Sequence, residues 1–127
     1  RGFLEGVAFL LARVVAAMPA TVPASRITAS GGLSSLSALL QSQADFLGCP
    51  IRRTRLRETS AWGAAALCGV GAGLWRSPDE AARRVRYDRL FKPSANMDAM
   101  SQKKRVWEYL LREARRIGAY TAVNHSG

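Results

Sequence analysis

The spacing of apolar residues predicts helices that alternate with short strands. In the first segment, apolar residues recur with the helical period, which predicts a helix over residues 1–18 with one buried face. We expect Pro19 and Pro23 to end it, and residues 27–30 predict a short strand. The apolar positions of this first helix are Phe3, Leu4, Val7, Leu11, Val14, Val15 and Met18.

Two glycines, Gly31 and Gly32, separate this strand from a second predicted helix that begins near Ser34. Gly48 suits the left-handed position that often follows a helix. Residues 50–54 predict a second strand, and the arginines in and beside it indicate an edge or a half-exposed position in the sheet. The buried face of the second helix is expected to contain Leu33, Leu36, Leu40 and Leu47, with serines and glutamines on its other sides.

The next helix, predicted over residues 59–75, is rich in alanine and glycine. Small side chains let another backbone approach closely, so we expect this helix to pack tightly against the sheet. Thr59 or Ser60 is available as its N-cap. Its glycines follow no strand and do not form a dinucleotide-binding fingerprint. We interpret them as packing positions or as a loosened helix end.

The last part of the chain predicts a short capped helix, an extended segment and a long helix. Ser77 precedes Pro78 and two acidic residues, which is typical of a helix start. Residues 87–93 are predicted to be extended. The order of elements predicts an α/β fold with a mostly parallel sheet, and two strands are few for an independent sheet. The long helix is predicted over residues 97–118, with a frayed tail after it and with Met100, Trp107, Leu110, Leu111, Ala114 and Ile117 facing inward.

Composition limits the class of protein. The 127 residues are 48% hydrophobic, which is enough for one core. Because the chain begins at Arg1, inside a predicted helix, we expect it to belong to a longer protein. No run reaches the roughly 20 apolar residues of a membrane span, and the isolated Cys49 and Cys68 fit a reducing cytoplasm. The single histidine, His125, argues against a metal site or a Ser-His-Asp triad.

The net charge of +10 has two interpretations. One is an arginine-rich module that binds nucleic acid. The other is an arginine-rich proteome combined with an acidic part of the protein that lies outside this chain. We favour the second, and do not expect a nucleic-acid partner, because no aromatic residues of the kind used for base stacking accompany the basic runs.

The glycine pair is the best candidate for a binding site. Without β-carbons, the backbone at Gly31 and Gly32 can turn sharply and let a flat ligand lie against it. The helix that follows directs its free N–H groups and positive dipole end toward the same place. Together these features suit a nucleotide, although the same turn also occurs as a purely structural feature.

Three blocks of residues follow one another along the chain: Ser30-Gly31-Gly32-Leu33, Gln41-x-Gln43-Ala44-Asp45-x-Leu47-Gly48-x-Pro50 and Glu58-Thr59-x-Ala61-x-Gly63-Ala64-Ala65. These blocks resemble the C-terminal domain of the FGGY carbohydrate kinases. The glutamine-rich block is most similar to that of glycerol kinases. The opening residues 4–9 and the segment Phe91-x-Pro93 also resemble this family.

The resemblance implies an actin-like, ribonuclease-H-like α/β domain with a small parallel or mixed sheet and flanking helices. It implies that residues 1–127 form a single domain, the C-terminal part of a kinase whose N-terminal domain is absent. It also implies that Gly31 and Gly32, with Ser30 and Leu36 beside them, bind the adenosine of ATP. The family usually has an aspartate where this chain has Ser30, and glycerol kinases have an asparagine where it has Leu36.

The resemblance further implies transfer of the γ-phosphoryl group of ATP, with Mg²⁺, to a hydroxyl of a polyol or sugar. The family's catalytic base, Mg²⁺ ligands and sugar-binding residues lie upstream of this chain. We therefore expect no catalytic residue here and an inactive 127-residue chain. Asp45 is expected to cap a helix or pair with an arginine, and Glu58 to interact with a helix N-terminus.

Two further expectations concern partners. The sequence does not fix the oligomeric state, but exposed sheet edges and the missing domain favour dimerisation or aggregation of the chain, so a homo-oligomer is one of the expected states. The alternative to a kinase is an arginine-rich nucleic-acid-binding domain or a non-catalytic interaction domain that kept the fold and lost its ligand. The departures from the family pattern at Ser30 and Leu36 support the latter.

Overall fold

The computed structural model describes residues 2–18, 27–94 and 96–124, so the predicted stops at Pro19 and Pro23 lie outside the described residues. The predicted α/β order is confirmed. The elements are helix α1 (Gly2–Ala16), strand β1 (Thr28–Ala29), a 3-10 turn (Gly32–Ser35), α2 (Ser37–Leu47), β2 (Ile51–Thr54), α3 (Thr59–Gly71), α4 (Pro78–Ala82), β3 (Tyr87–Phe91) and α5 (Met97–Asn124).

The described strands form a mixed sheet in the order β1-β2-β3. β1 runs parallel to β2, and β3 runs antiparallel to it. The expected edge position of β2 is therefore wrong, because the extended segment that follows α4 pairs with its second side. The half-exposed position is confirmed, since Ile51 and Thr54 are buried whereas Arg52 between them is exposed.

A β-bulge interrupts the pairing of β2 with β3. Arg53 pairs with Arg89 and Thr54 pairs with Tyr87, which leaves Asp88 as the extra residue on β3. A bulge of this kind bends the strand and redirects one side chain. Here the Asp88 carboxylate meets the Arg53 guanidinium.

Two hydrophobic clusters meet at α2. The first joins α1, α2 and α5, and its aromatic centre is Phe9, which packs edge-on to Phe46 and stacks with Trp107 at centroid distances of 6.1 Å. The second packs α2 on the sheet. The first contains Ala8, Phe9, Phe46 and Met100, and the second contains Leu40, Ala44, Ile51 and Phe91.

The buried face of α1 differs from the predicted one. Ala8 and Phe9 are its buried residues, whereas Phe3, Val14 and Met18 are exposed. Apolar residues surround much of this helix, so its period alone does not choose the inward face. That choice is made by α2 and α5, against which α1 packs.

The start of α2 also differs. A 3-10 turn precedes the helix, so Leu33 and Leu36 are exposed rather than buried. Gln43 is buried, although it was assigned to the polar side. The predicted helix end is confirmed, because Gly48 has a φ of 71° and its N–H donates to Ala44 O.

Helix α3 does not pack tightly against the sheet as expected. It contacts α4 more extensively than any described strand, and most of its residues are exposed. The N-cap residue of α3 is Glu58 rather than Thr59 or Ser60, and the Glu58 side chain makes no capping hydrogen bond. The helix ends at Gly71, before the predicted Trp75, and Gly73 turns the chain with a φ of 76°.

The last two helices are present as predicted, but α5 differs from the prediction in its end and in part of its buried face. The Ser77 hydroxyl accepts a hydrogen bond from Glu80 N, which confirms the cap of α4. α5 continues through Gly118 to Asn124, so the fraying predicted after Gly118 is wrong for residues 119–124, and residues 125–127 lie outside the described residues. Gly118 has no left-handed φ to stop the helix. Leu110, Ala114 and Ile117 were expected to face inward but are exposed.

Across the described ranges, no helix combines the length and apolar character required to cross a bilayer.

Candidate functional site

The glycine turn follows the end of β1 in a tightly bonded conformation. Gly31 has a φ of 87°, a region that residues with a β-carbon rarely adopt. Its carbonyl oxygen accepts hydrogen bonds from Ser34 N at 3.1 Å and from Ser34 Oγ at 2.6 Å. Ser35 Oγ donates to Gly32 O at 2.7 Å. The two serines thus hold both glycine carbonyls on the inner side of the turn.

The outer side of this turn is open. Among the described residues, apart from each glycine and its two chain neighbours, no heavy atom lies within 4 Å of a β-carbon built on Gly31 or Gly32. By contrast, a β-carbon on Gly6 would stand 2.9 Å from the Trp107 ring. The missing side chains at Gly31 and Gly32 therefore leave room for a flat ligand next to the backbone.

The predicted neighbours of the glycines lie around the same turn. Ser30 Oγ is 3.2 Å from Thr59 Oγ1, so the end of β1 adjoins the first residue of α3. Leu36 is 45% exposed and Leu33 66% exposed, so both offer apolar surface beside the turn. The four predicted residues are therefore close together along the chain, and their contact with a nucleotide stays a prediction.

Sequence reasoning did not identify Arg53, which also reaches this turn. Its Nε and Nη2 donate to Asp88 Oδ1 and Oδ2 at 2.8 and 2.9 Å. Its Nη1 lies 3.5 Å from Ser34 O and 3.4 Å from Ser37 Oγ. Hydrogen bonding from Arg53 lowers the pKa of Asp88, and the same bonding raises the pKa of Arg53. The only signal in the sequence was a charged residue in a strand.

The glutamine-rich block has a structural role in the described chain. Asp45 Oδ1 accepts a hydrogen bond from Ser94 N at 2.7 Å, and Gln41 Nε2 donates to Lys92 O at 2.8 Å. These contacts fasten the segment after β3 to α2. Within residues 2–18, 27–94 and 96–124, no group of three or more His, Cys, Asp or Glu residues is arranged to hold a metal ion.

This α/β arrangement, with its glycine turn, matches known proteins. Residues 1–72 match the FGGY family of carbohydrate kinases, C-terminal domain. The chain therefore belongs to the FGGY family of carbohydrate kinases, and the resemblance is confirmed.

Among curated proteins, the chain is 38% identical to the glycerol kinase of Ralstonia nicotianae and 35% identical to that of Acinetobacter baylyi. Each match extends over 117 residues and covers 91% of this chain but only 24% of the relative. The chain thus spans about a quarter of the length of these proteins.

Solved structures show the same fold. The xylulose kinase of Rhodospirillum rubrum superposes with a TM-score of 0.73 at 25% identity, over 90% of this chain and 24% of that one. A glycerol kinase of Plasmodium falciparum, solved with ADP, superposes with a TM-score of 0.70 at 23% identity, over 87% of this chain and 22% of that one. These matches confirm the predicted fold class, with a mixed rather than mostly parallel sheet.

Proposed function

We propose that this chain forms the nucleotide-binding wall of an ATP-dependent carbohydrate kinase that phosphorylates a polyol, with glycerol as the first candidate. The observation that carries the proposal is the open glycine turn. Gly31 and Gly32 expose bare backbone at the end of β1, and the described residues leave the adjoining space unfilled. A flat adenosine fits such a surface, whereas a filled turn would exclude it.

The residues around the turn fit this ligand. The backbone of Gly31 and Gly32 would face the adenosine, and the exposed side chains of Leu33 and Leu36 would cover an apolar ring face. When bound, ATP supplies the phosphoryl group. We assign the general base, the Mg²⁺ ligands and the residues that bind the acceptor to parts of the protein outside this chain, because phosphoryl transfer depends on such groups converging.

Two observations bear on the acceptor and the cellular location. The 35–38% identity to glycerol kinases favours a polyol, while the fold alone is shared with a xylulose kinase. Cys49 and Cys68 are free thiols in the described structure, which suits a reducing cytoplasm.

The test is binding of MgADP to the 127-residue chain, measured by calorimetry and by the amide resonances of Gly31 and Gly32. Gly32 has no left-handed φ and open space around it, so Gly32→Leu should fold normally and occupy the proposed binding surface. We expect it to weaken ADP binding at least about tenfold. Gly63→Leu, at an equally open position on α3, is the matched control and should leave binding unchanged.

Two outcomes would overturn the proposal: no ADP binding by the wild-type chain, or equal binding by Gly32→Leu. The nucleic-acid alternative has its own signature, because exposed arginines such as Arg52, Arg55 and Arg86 would contact phosphates. Binding to a single-stranded oligonucleotide through them would weaken steeply as salt rises from about 50 to about 200 mM. ADP binding at the glycine turn would change far less over the same range.

A further inference from the structure

We infer that the Arg53–Asp88 pair is a positioning device for the glycine turn, and that it sets how well this turn accepts the nucleotide. The inference rests on the proposed function, since it assumes that adenosine binds at Gly31 and Gly32. It adds two residues that lie on β2 and β3, away from the turn along the chain.

The pair has a fixed geometry. Both carboxylate oxygens of Asp88 accept from Arg53, at 2.8 and 2.9 Å, in a fork that holds the guanidinium plane in one orientation. The side chains are only 19% and 30% exposed. The guanidinium also lies over the buried Phe91 ring, 5.8 Å from its centroid. Arg53 is therefore held by contacts on two sides.

The remaining nitrogen of Arg53 points at the turn. Nη1 lies 3.5 Å from Ser34 O and 3.4 Å from Ser37 Oγ. Ser34 is 7% exposed, and both its N–H and its hydroxyl donate to Gly31 O. A continuous series of polar contacts thus runs from Asp88 through Arg53 and Ser34 to Gly31.

The bulge in β3 explains why Asp88 can take part. In regular pairing, Asp88 would stand opposite Thr54, whereas the bulge lets its carboxylate meet Arg53. The sheet thereby supports a turn that belongs to the β1–α2 connection. The two contacts from Nη1 are long for hydrogen bonds. We therefore expect their loss to shift the conformation of the turn moderately rather than to unfold it.

The experiment measures MgADP affinity and the nucleotide-free amide resonances of Gly31 and Gly32 in the 127-residue chain. Arg53→Gln and Asp88→Asn should each weaken binding about three- to tenfold and shift both resonances. Arg53→Lys keeps the charge but loses the fork, so binding should stay weakened. Arg52→Gln, the exposed neighbour on β2, is the matched control and should change neither measurement.

A double-mutant cycle separates positioning from general stability. If the two residues act as one unit, Arg53→Gln combined with Asp88→Asn should weaken binding less than the product of the single effects. Thermal melting of each variant is recorded in parallel, and affinity is compared well below the lowest melting temperature. A purely structural role would lower the melting temperature and leave the affinity of the folded chain unchanged.

The outcomes are distinguishable from those of the proposed function. If the wild-type chain does not bind ADP, the proposed function and this inference both fall. If it binds ADP, and Arg53→Gln binds equally well with unshifted glycine resonances, only the inference falls. If both single variants lose cooperative melting, the pair is a folding element and its positioning role is overturned.

Discussion

Trp75 lies so close to Gly69 that a β-carbon built on Gly69 would stand 2.5 Å from Cζ3 of the indole ring. The indole folds back onto α3 after the turn at Gly73, and its centroid is 5.8 Å from that of Trp62. At Gly69, the lack of a side chain therefore accommodates the return of the chain. It does not serve the expected contact between α3 and the sheet.

The first prediction compares two glycines of α3. Gly69→Ala should destabilise the chain by about 1–3 kcal/mol, because the new methyl group displaces the Trp75 ring. Gly63→Ala, where a methyl group meets open space, should instead stabilise it by about 0.5–1 kcal/mol. Urea denaturation measures both. Equal effects of the two substitutions on stability would contradict the close contact between Gly69 and the Trp75 ring.

The second prediction tests the corrected face of α1. Phe9 is 3% exposed between Phe46 and Trp107, so Phe9→Ala should cost about 3–5 kcal/mol. Phe3 is 81% exposed, and Phe3→Ala should change stability by less than about 0.5 kcal/mol. A larger loss of stability from Phe3→Ala than from Phe9→Ala would indicate that the face predicted from periodicity is the buried one.

The third prediction concerns acid. The pKa of Asp88 is lowered chiefly by its hydrogen bonds with Arg53, an effect that burial partly offsets and that the positive charges of Arg53 and Arg55 reinforce. Its carboxylate therefore stabilises the fold above its unfolded pKa of about 3.9. This contribution declines as pH falls below that value and is lost once pH passes below the folded pKa.

The measurement is urea denaturation of the wild-type chain and of Asp88→Asn between about pH 6 and about pH 2.5. The stability advantage of the wild-type chain should be constant at the upper end and shrink toward the lower end. Arg52→Gln serves as a control whose difference from wild type should not follow this curve. An advantage that grows with acid would show that Asp88 is not paired in the folded state.

The fourth prediction concerns activity. The 127-residue chain should show no ATP-dependent phosphorylation of glycerol or of common pentoses, because no residue assigned here activates the acceptor hydroxyl. A coupled assay for ADP release is sufficient, with a complete glycerol kinase as the positive control. Robust turnover by the chain would require a catalytic base among its own residues.

Much of the fold follows from local signals in the sequence. Gly48 and Ser77 mark a helix end and a helix start through interactions within a few residues, and both predictions are confirmed. Which face is buried depends on distant elements. Phe3 and Phe9 are equally apolar, and only the positions of α2 and α5 decide that Phe9 is enclosed. The edge position predicted for β2 was wrong for the same reason, because its second neighbour in the sheet, β3, is distant in the sequence.

The candidate site likewise combines residues that local sequence signals predict with one that depends on distant parts of the chain. Gly31 and Gly32 were identified because a glycine pair between a strand and a helix lets the backbone turn sharply and leaves room for a ligand, and the structure places the pair in an open turn. Arg53 was not identified, because its relation to the turn depends on a bulge and on residues 34–37. Neither appears in the spacing of charges along the chain.

The bulge at Asp88 makes the length of this segment as important as its composition. Deleting one residue between Arg86 and Arg89 would remove the bulge and restore the regular ladder, in which the residue before Arg89 stands opposite Thr54 and points to the other face of the sheet from Arg53. The acidic group would then have to be supplied from a different strand position. Libraries or grafts based on this domain should conserve both the number of residues in this stretch and the aspartate at the bulge.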